Sequence, residues 1–335
     1  MVSSEAGRVL TSSEHSEVHA GVDIGGTKIA AILGTRSGEI VAHGKIETHS
    51  AAGPADAFQR IATLLEDLAS ESKATPGVIG IGVPGLVDFH TGVIEFLPNL
   101  PESWRGFPAA EILRNRTSKP VYLLNDARLA ALGEHVFGSG PARDNMLVVT
   151  VGTGIGGGLI LDGKLRLGVR GAAGEVGHHT VLPDGPPCTC GSRGCVEVLV
   201  NGPLLSAEGA RLAREGSAPK LAALVANDWA AITPRHMGIA AEQGDEKVGA
   251  VIEAAASWLG LGIANAVTIT AVERVVITGG VAALGERLLA PIRRVVRERV
   301  KMFPAELVTI NCSTLGDHAG ALGGLALAFE KSPRK

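Results

Sequence analysis

The sequence predicts an α/β protein in which one structural unit occurs twice. Apolar, β-branched segments alternate with amphipathic helical segments along the 335 residues, a pattern typical of sheets covered by helices. Segments 22–27 and 149–154 are alike, because each leads a strand into a Gly/Thr turn and then into a second apolar strand. Glycine accounts for 45 residues, close to twice the usual share of about 7%, which indicates tight turns and close backbone approaches. We therefore expect two related α/β units with a cleft between them.

The elements of the first half follow from periodicity and turn residues. Turns rich in Gly, Pro and Asn/Asp separate the apolar runs, which indicates strands. The helix after Pro54 follows from the 3-4-3 spacing of Phe58, Ile61, Leu65 and Leu68. The expected strands are 18–24, 29–33, 39–46, 78–83 and 121–124, and a second helix is expected over 127–136.

The second half repeats this order. It begins with a strand at 146–151, which is followed by a glycine loop at 152–158 and a returning strand at 159–161. An alanine-rich stretch then predicts one long helix. The remaining expected elements are helices at 248–269, 284–300 and 318–329 and strands at 274–278 and 308–312.

Composition excludes several classes of protein. The net charge is −3, from 31 basic and 34 acidic residues, so no basic surplus indicates nucleic acid or an acidic membrane surface. No uninterrupted apolar stretch reaches the roughly 18 residues needed to cross a bilayer. The polar segment 1–17 reads as a disordered tail without a signal peptide. Four cysteines are too few for a disulfide scaffold. We expect a cytoplasmic protein that binds neither nucleic acid nor membrane.

The strongest local pattern is a cluster of soft ligands at 178–195. His178, Cys188, Cys190 and Cys195 supply the four donors that a closed, tetrahedral zinc site requires. The alternative is free or buried thiols, and His179 competes with His178 as the ligand. Four protein ligands would make the metal structural. Cys312 stands alone at a strand end and is expected in the core.

Two carboxylates flank this cluster. Glu175 precedes His178 by three residues, and Glu197 follows Cys195 by two. Each is an ordinary surface charge in the simplest interpretation. Acceptors held beside an imidazole also suit the hydroxyls of a sugar, toward which the second ring nitrogen of His178 can point.

Two glycine loops are candidates for phosphate binding. Segment 152–157 satisfies G-x-G-x-x-G, but a nicotinamide site requires a helix after that motif, and here a strand follows. Backbone N–H groups and Thr hydroxyls of such a loop can still hold phosphate oxygens. In segment 23–28, Asp23 offers a carboxylate for hydrated Mg²⁺, and Thr27 and Lys28 suit phosphate. Ordinary tight hairpins are the alternative for both loops.

Asn125 and Asp126 stand where an apolar strand gives way to a helix. The carboxyl ends of strands are where α/β folds place ligand-binding groups. Asp126 can accept a proton from a hydroxyl that attacks phosphorus. The alternative is an aspartate that only caps the helix.

Taken together, these motifs resemble the ROK family of sugar kinases and repressors, within the actin-like ATPase (ribonuclease H-like) superfamily, and most closely its bacterial ATP-dependent glucokinases. The resemblance covers residues from about 18 to 329. The matching segments, in order, are 23–28, 82–85, 99–101, 125–127, 152–157, 174–178, 188–197 and 279–280.

The resemblance implies a role for each matching residue. Asp126 would be the general base, and His178 rather than His179 the zinc ligand. The implied sugar contacts are Gly85, Asn99, Asn125, Asp126, Glu175, His178 and Glu197. The implied MgATP contacts are Asp23, Gly25, Gly26, Thr27, Lys28, Thr153, Gly154, Gly279 and Gly280.

The expected activity is transfer of a phosphoryl group from ATP to a hexose, with glucose as the first choice of acceptor. N-acetylglucosamine or N-acetylmannosamine is the second choice, and a non-catalytic sugar sensor is the alternative of another class. A repressor is disfavoured because the segment before the first strand lacks a helix-turn-helix pattern. The expected cofactors are ATP, Mg²⁺ and structural Zn²⁺, and the expected assembly is a homodimer or homotetramer.

The expected division of the chain has a small α/β domain of residues 18–126 plus 319–330 and a large domain of residues 127–318.

Two features depart from the family pattern. Arg128 stands where the family often has Asn, and we assign it no role. Segment 227–238 is idiosyncratic and could affect subunit contacts.

Overall fold

The computed structural model describes residues 17–96, 100–140 and 144–333. Two sequence predictions therefore lie outside the described residues: the tail up to residue 16 and the sugar contact of Asn99. Glu17, the last residue of the predicted tail, is described. Its carboxylate accepts a hydrogen bond from Ser332 Oγ at 3.0 Å, so this residue is tied to the end of the C-terminal helix.

Twelve strands and nine α-helices occupy the described residues. The strands are β1 Val18–Ile24, β2 Lys28–Thr35, β3 Ile40–Glu47, β4 Ile79–Val83, β5 Leu86–Asp88, β6 Val93–Phe96, β7 Val121–Asn125, β8 Met146–Val151, β9 Ile155–Leu161, β10 Lys164–Arg166, β11 Arg274–Thr278 and β12 Thr309–Cys312. The helices are α1 Pro54–Ser72, α2 Ala109–Thr117, α3 Asp126–Phe137, α4 Gly202–Arg214, α5 Pro219–Leu224, α6 Pro234–Glu242, α7 Glu246–Thr270, α8 Glu286–Arg299 and α9 Ala319–Lys331.

The two large sheets have the same topology. Their strand orders are β3-β2-β1-β4-β7 and β10-β9-β8-β11-β12. In the first sheet β1 pairs antiparallel with β2 and parallel with β4. In the second sheet β8 pairs antiparallel with β9 and parallel with β11. This repetition confirms the duplicated unit that segments 22–27 and 149–154 predict.

The predicted glycine loop at 152–158 is too long. Strand β9 already begins at Ile155, so three of the glycines lie within the strand. The reason for all three is close packing. Gly156 and Gly158 face α3, where a Cβ atom on Gly158 would lie 2.4 Å from Ala131 Cβ, and a Cβ atom on Gly157 would lie 2.4 Å from Gly174 O. Glycine in a strand often marks such an approach rather than a turn. The sequence analysis also missed the β5–β6 hairpin and helices α2, α4, α5 and α6.

Helix α9 crosses the first sheet at very short range. A Cβ atom on Gly21 of β1 would lie 1.9 Å from the carbonyl oxygen of Ala321, and one on Gly80 of β4 would lie 2.0 Å from that of Gly324. No side chain fits at either point. The C-terminal helix therefore covers the sheet of the N-terminal residues and lies beside the end of β1.

Helix α7 is the one described helix whose length and composition would suffice to cross a membrane. Its Ile252, Leu259 and Ile263 are at most 1% exposed within the core beneath the second sheet. Such burial is the property of a core helix. Residues Ile232 and Met237 of the idiosyncratic segment 227–238 are buried in the same core.

Candidate active site

The carboxylate of Asp126 is oriented at the point where β7 ends and α3 begins. Asn125, not Asp126, is the N-cap: its Oδ1 accepts hydrogen bonds from the backbone N–H groups of Ala127 and Arg128, at 3.0 and 3.2 Å. Asp126 is the first helical residue, and its Oδ1 accepts from Ala127 N–H at 2.8 Å and from Asn125 Nδ2 at 2.9 Å. The alternative of a capping aspartate is therefore wrong.

The second oxygen of Asp126 is available for chemistry. Asp126 Oδ2 has no hydrogen-bond partner within residues 17–96, 100–140 and 144–333. Burial raises the pKa of Asp126 above its ordinary value, opposed by the Ala127 N–H bond and the charge of Arg128. A carboxylate with a raised pKa is the better proton acceptor.

The side-chain amide of Asn125 is fully engaged within the protein. Besides its bond to Asp126, Nδ2 donates to the carbonyl oxygen of Gly85 at 2.9 Å. Gly85 has a φ of 84°, which favours glycine at this turn. Asn125 thus joins the turn after β4 to the candidate base, and a direct sugar contact through Nδ2 would require it to release one of these two bonds.

A second carboxylate faces the same region. Asp23 is the last residue but one of β1, and Asp126 follows β7; the two strands lie on either side of β4. A Cβ atom on Gly82 of β4 would lie 3.3 Å from Asp23 Oδ1 and 3.7 Å from Asp126 Cα. Burial, reinforced by the charge of Asp126, raises the pKa of Asp23 to about 6. Carboxylates that repel each other in this way are suited to a divalent cation.

The first glycine loop is held by a residue that the sequence analysis missed. Thr48 donates its hydroxyl to the carbonyl oxygen of Gly25 at 2.7 Å. The backbone N–H of Thr48 donates to the carbonyl oxygen of Thr27 at 2.9 Å. Gly26, Thr27 and Lys28 are exposed, so this anchored loop presents its tip to solvent.

The second glycine loop is fixed by Glu197. Glu197 Oε2 accepts the backbone N–H of Ile155 at 2.8 Å, while Thr153 remains exposed. Gly279, with a φ of 90°, approaches the end of β8 so closely that a Cβ atom there would lie 2.5 Å from Val151 O. The Gly279–Gly280 pair therefore lies beside this loop. None of the described hydrogen bonds joins the loop at 25–28 to the loop at 152–154.

A buried arginine connects the candidate base to the loop that carries Glu175. Arg128 Nη2 donates to Glu175 Oε1 at 2.6 Å, and Nη1 donates to Asn125 Oδ1 at 3.2 Å. The sequence analysis assigned Arg128 no role. Its spacing of three residues from Asn125 was the available signal, because residues i and i+3 share a helix face.

The four predicted zinc donors converge. The ligand atoms of His178, Cys188, Cys190 and Cys195 lie within 4.8 Å of one another. Cys190 and Cys195 have their sulfur atoms 3.7 Å apart, close to the roughly 3.8 Å that tetrahedral geometry and a Zn–S bond of about 2.3 Å require. His178 presents Nδ1 to Cys188 Sγ at 3.6 Å, whereas His179 is not in the group. The residues therefore fit a zinc ion.

Without a bound cation, the surroundings of Cys195 favour its neutral thiol. Burial raises the pKa of Cys195 to about 12, with hydrogen bonds to Cys190 and Cys188 adding to the effect. Zinc binds thiolates, and a bound cation reverses this preference. The lone Cys312 is half-buried, with its sulfur 3.6 Å from Ala282 O.

Comparisons with known proteins agree with this geometry. The family model for the ROK family matches residues 19–331. A glucokinase from Halalkalibacterium halodurans is 38% identical over 314 residues, which are 91% of this chain and 93% of the relative. A xylose repressor from Caldicellulosiruptor bescii is 32% identical over 92% of this chain and 77% of the repressor.

Solved structures extend the comparison to the fold. The ROK family glucokinase from Streptomyces griseus, in complex with glucose and AMPPNP, has a TM-score of 0.81 and 33% identity, with 93% of this chain and 99% of that chain covered. The paired five-stranded sheets are thus the actin-like ATPase fold that the resemblance implies. By its sequence match, its fold and its motifs, this chain belongs to the ROK family.

Proposed function

We propose that the protein phosphorylates glucose at the 6-hydroxyl with ATP as donor, and that Asp126 is the general base. The observation that carries this proposal is the Asp126 carboxylate, which has one oxygen fixed by two hydrogen bonds and the other without a partner among the described residues. The glucokinase relatives and the glucose-bound neighbour support the choice of reaction and acceptor.

In the proposed mechanism the protein positions the reactants and stabilises charge. A primary alcohol is far too weak an acid to ionise beforehand, so its proton moves as the sugar oxygen bonds to the γ-phosphorus of ATP and the bond from that phosphorus to the leaving ADP breaks. Asp126 Oδ2 would accept that proton, while Asn125 and the Ala127 N–H hold the other oxygen in place. Closure of the cleft would exclude water, which otherwise competes as acceptor.

We propose Glu175, His178, Glu197, Asp126 and the Gly85 turn as the sugar contacts, with Asn99 as a further candidate. One oxygen of each glutamate is already engaged: Glu175 Oε1 by Arg128, and Glu197 Oε2 by Ile155 N–H. The other oxygen of each remains to accept a sugar hydroxyl. Asn125, whose amide is engaged, would act on the sugar mainly by orienting Asp126.

MgATP would be held by the two loops. Mg²⁺ neutralises the transferring phosphates when it is bound, and Asp23 is its candidate carboxylate. The candidate phosphate contacts are Gly25, Gly26, Thr27, Lys28, Thr153 and Gly154, with Gly279 and Gly280 beside the adenosine.

We further propose structural Zn²⁺ at His178, Cys188, Cys190 and Cys195. Because Glu175 precedes this site by three residues and Glu197 follows it by two, the ion would hold both carboxylates in position. We also propose that the protein is cytoplasmic and forms a homodimer or homotetramer. Its two proposed domains are residues 18–126 plus 319–330 and residues 127–318.

The test combines one substitution with a panel of acceptors. Asp126→Asn should lower kcat by about 10²- to 10⁴-fold and leave the dissociation constant for glucose within a few-fold of wild type. Asp67→Asn, which changes an exposed carboxylate on α1, is the matched control. Near-normal turnover in Asp126→Asn would refute the assignment of the base.

Acceptors are compared by kcat/KM for glucose, N-acetylglucosamine, N-acetylmannosamine and fructose, and ATP is compared with polyphosphate as donor. We expect glucose and ATP to be preferred. Binding of a sugar without any transfer would indicate a sugar sensor instead.

A further inference from the structure

Arg128 is buried to an extent that is unusual for a charged residue. Its side chain is 2% exposed, and all three kinds of guanidinium nitrogen are engaged. Nε donates to Gly171 O at 3.0 Å, Nη1 to Asn125 Oδ1 at 3.2 Å and Nη2 to Glu175 Oε1 at 2.6 Å. Taking a charge out of water is costly unless its hydrogen bonds are satisfied. Two segments of chain, the turn at 125–128 and the loop at 171–175, therefore converge on this guanidinium.

These contacts determine the direction of the Asn125 amide. Asn125 Oδ1 accepts three hydrogen bonds, from Ala127 N–H, Arg128 N–H and Arg128 Nη1. Rotating the amide by half a turn would bring its NH₂ group against all three donors. Its Nδ2 must therefore face Asp126 Oδ1, while Asp126 Oδ2 has no hydrogen-bond partner among the described residues.

The same guanidinium determines the direction of Glu175. Glu175 is 34% exposed, whereas its partner Arg128 is buried. The pair therefore holds one carboxylate oxygen against the protein interior. The other oxygen, Oε2, has no hydrogen-bond partner among the described residues and is left for a ligand.

We propose that Arg128 is a positioning residue for sugar phosphorylation, which aligns the sugar acceptor Glu175 with the base Asp126 through one buried guanidinium. This inference rests on the proposed function. It predicts that loss of Arg128 disturbs both sugar binding and transfer and spares the nucleotide loops, to which Arg128 makes no described hydrogen bond.

The experiment compares Arg128→Met and Arg128→Lys with wild type under steady-state kinetics. Arg128→Met should raise KM for glucose about 10- to 100-fold and lower kcat, with KM for ATP changed less than two-fold. Lysine keeps the charge but cannot make the forked contacts, so Arg128→Lys should be intermediate. Arg294→Met is the control, because it breaks an exposed pair with Glu253; its kinetic constants should match wild type.

A double substitution separates positioning from a general structural effect. If Arg128 acts on the sugar through Glu175, adding Glu175→Gln to Arg128→Met should raise KM for glucose little further. Fully multiplicative effects of the two substitutions on KM would overturn the proposal. So would a folded Arg128→Met variant with wild-type KM for glucose, or one that loses affinity for ATP as strongly as for glucose.

Folding of each variant is checked by circular dichroism and thermal unfolding. If Arg128→Met does not fold, Arg128→Lys and Arg128→Gln are compared, with KM for glucose expected to rise in that order; wild-type values in both would overturn the proposal. A wild-type protein that phosphorylates no sugar would instead overturn the proposed function, and this inference with it.

Discussion

Replacing Asp23 by asparagine should stabilise the unliganded protein above pH 6 and abolish its kinase activity. Burial, together with the charge of Asp126, raises the pKa of Asp23 from 3.8 to about 6. At about 1.4 kcal/mol per unit, this shift corresponds to about 3 kcal/mol of destabilisation when the group is ionised. Because Asp23 keeps partial contact with solvent, that figure is an upper bound on the gain from Asp23→Asn.

The direction in which the free energy of unfolding changes with pH follows from when the folded and the unfolded chain bind the proton. Above pH 6 Asp23 is ionised in both the folded and the unfolded chain, so the whole penalty is present. Between pH 6 and 3.8 the folded protein takes up the proton first, and the penalty shrinks. Below pH 3.8 both states are protonated and the penalty is gone. The advantage of Asp23→Asn over wild type should therefore be largest near pH 8 and fade toward pH 4.

The assay is urea unfolding of both proteins at pH 8, 6 and 4.5, without Mg²⁺, nucleotide or sugar. Asp67→Asn is again the control, because its carboxylate is exposed on α1; it should leave the unfolding midpoint unchanged. An Asp23→Asn variant no more stable than wild type at pH 8, or a gain at pH 4.5 as large as the gain at pH 8, would refute the reasoning. The same variant should have no measurable transfer from MgATP.

Three further outcomes are expected. Because burial raises the pKa of Asp126, kcat should fall as the pH decreases and should begin to fall at a higher pH than an ordinary aspartate would give, which a pH–rate profile measures. Cys190→Ser should lose the bound zinc and lower the thermal midpoint, whereas Cys312→Ser should keep one zinc per chain; metal analysis after dialysis against a chelator decides. The Cβ atom that Gly80→Ala adds would lie 2.0 Å from Gly324 O. This substitution should therefore lower the free energy of unfolding, measured in urea, by about 1–3 kcal/mol or more.

Local pattern was sufficient for most of the secondary structure. Strands 146–151 and 274–278 were predicted with the bounds that the structure has, and the helix after Pro54 begins at that proline. Apolar–polar alternation, β-branched residues and turn residues influence only a few neighbouring positions, so secondary structure can be predicted from them without the tertiary structure. The prediction of a loop at 156–158 is wrong because the reason for these glycines lies in other parts of the chain: α3 packs against Gly156 and Gly158, and residues 174–176 pack against Gly157.

The amino-acid sequence by itself determined which chemical groups are present: the carboxylates, the four zinc donors, the two glycine loops and the repeated unit that carries them. Only the tertiary structure decided how they meet. Arg128 reaches Glu175 across 47 positions of chain, and Thr48 holds Gly25 across 23. The physical reason is that a hydrogen bond depends on the distance and direction between two atoms in space. The number of residues between two positions does not give that distance, which is set only when the sheets and α9 pack together.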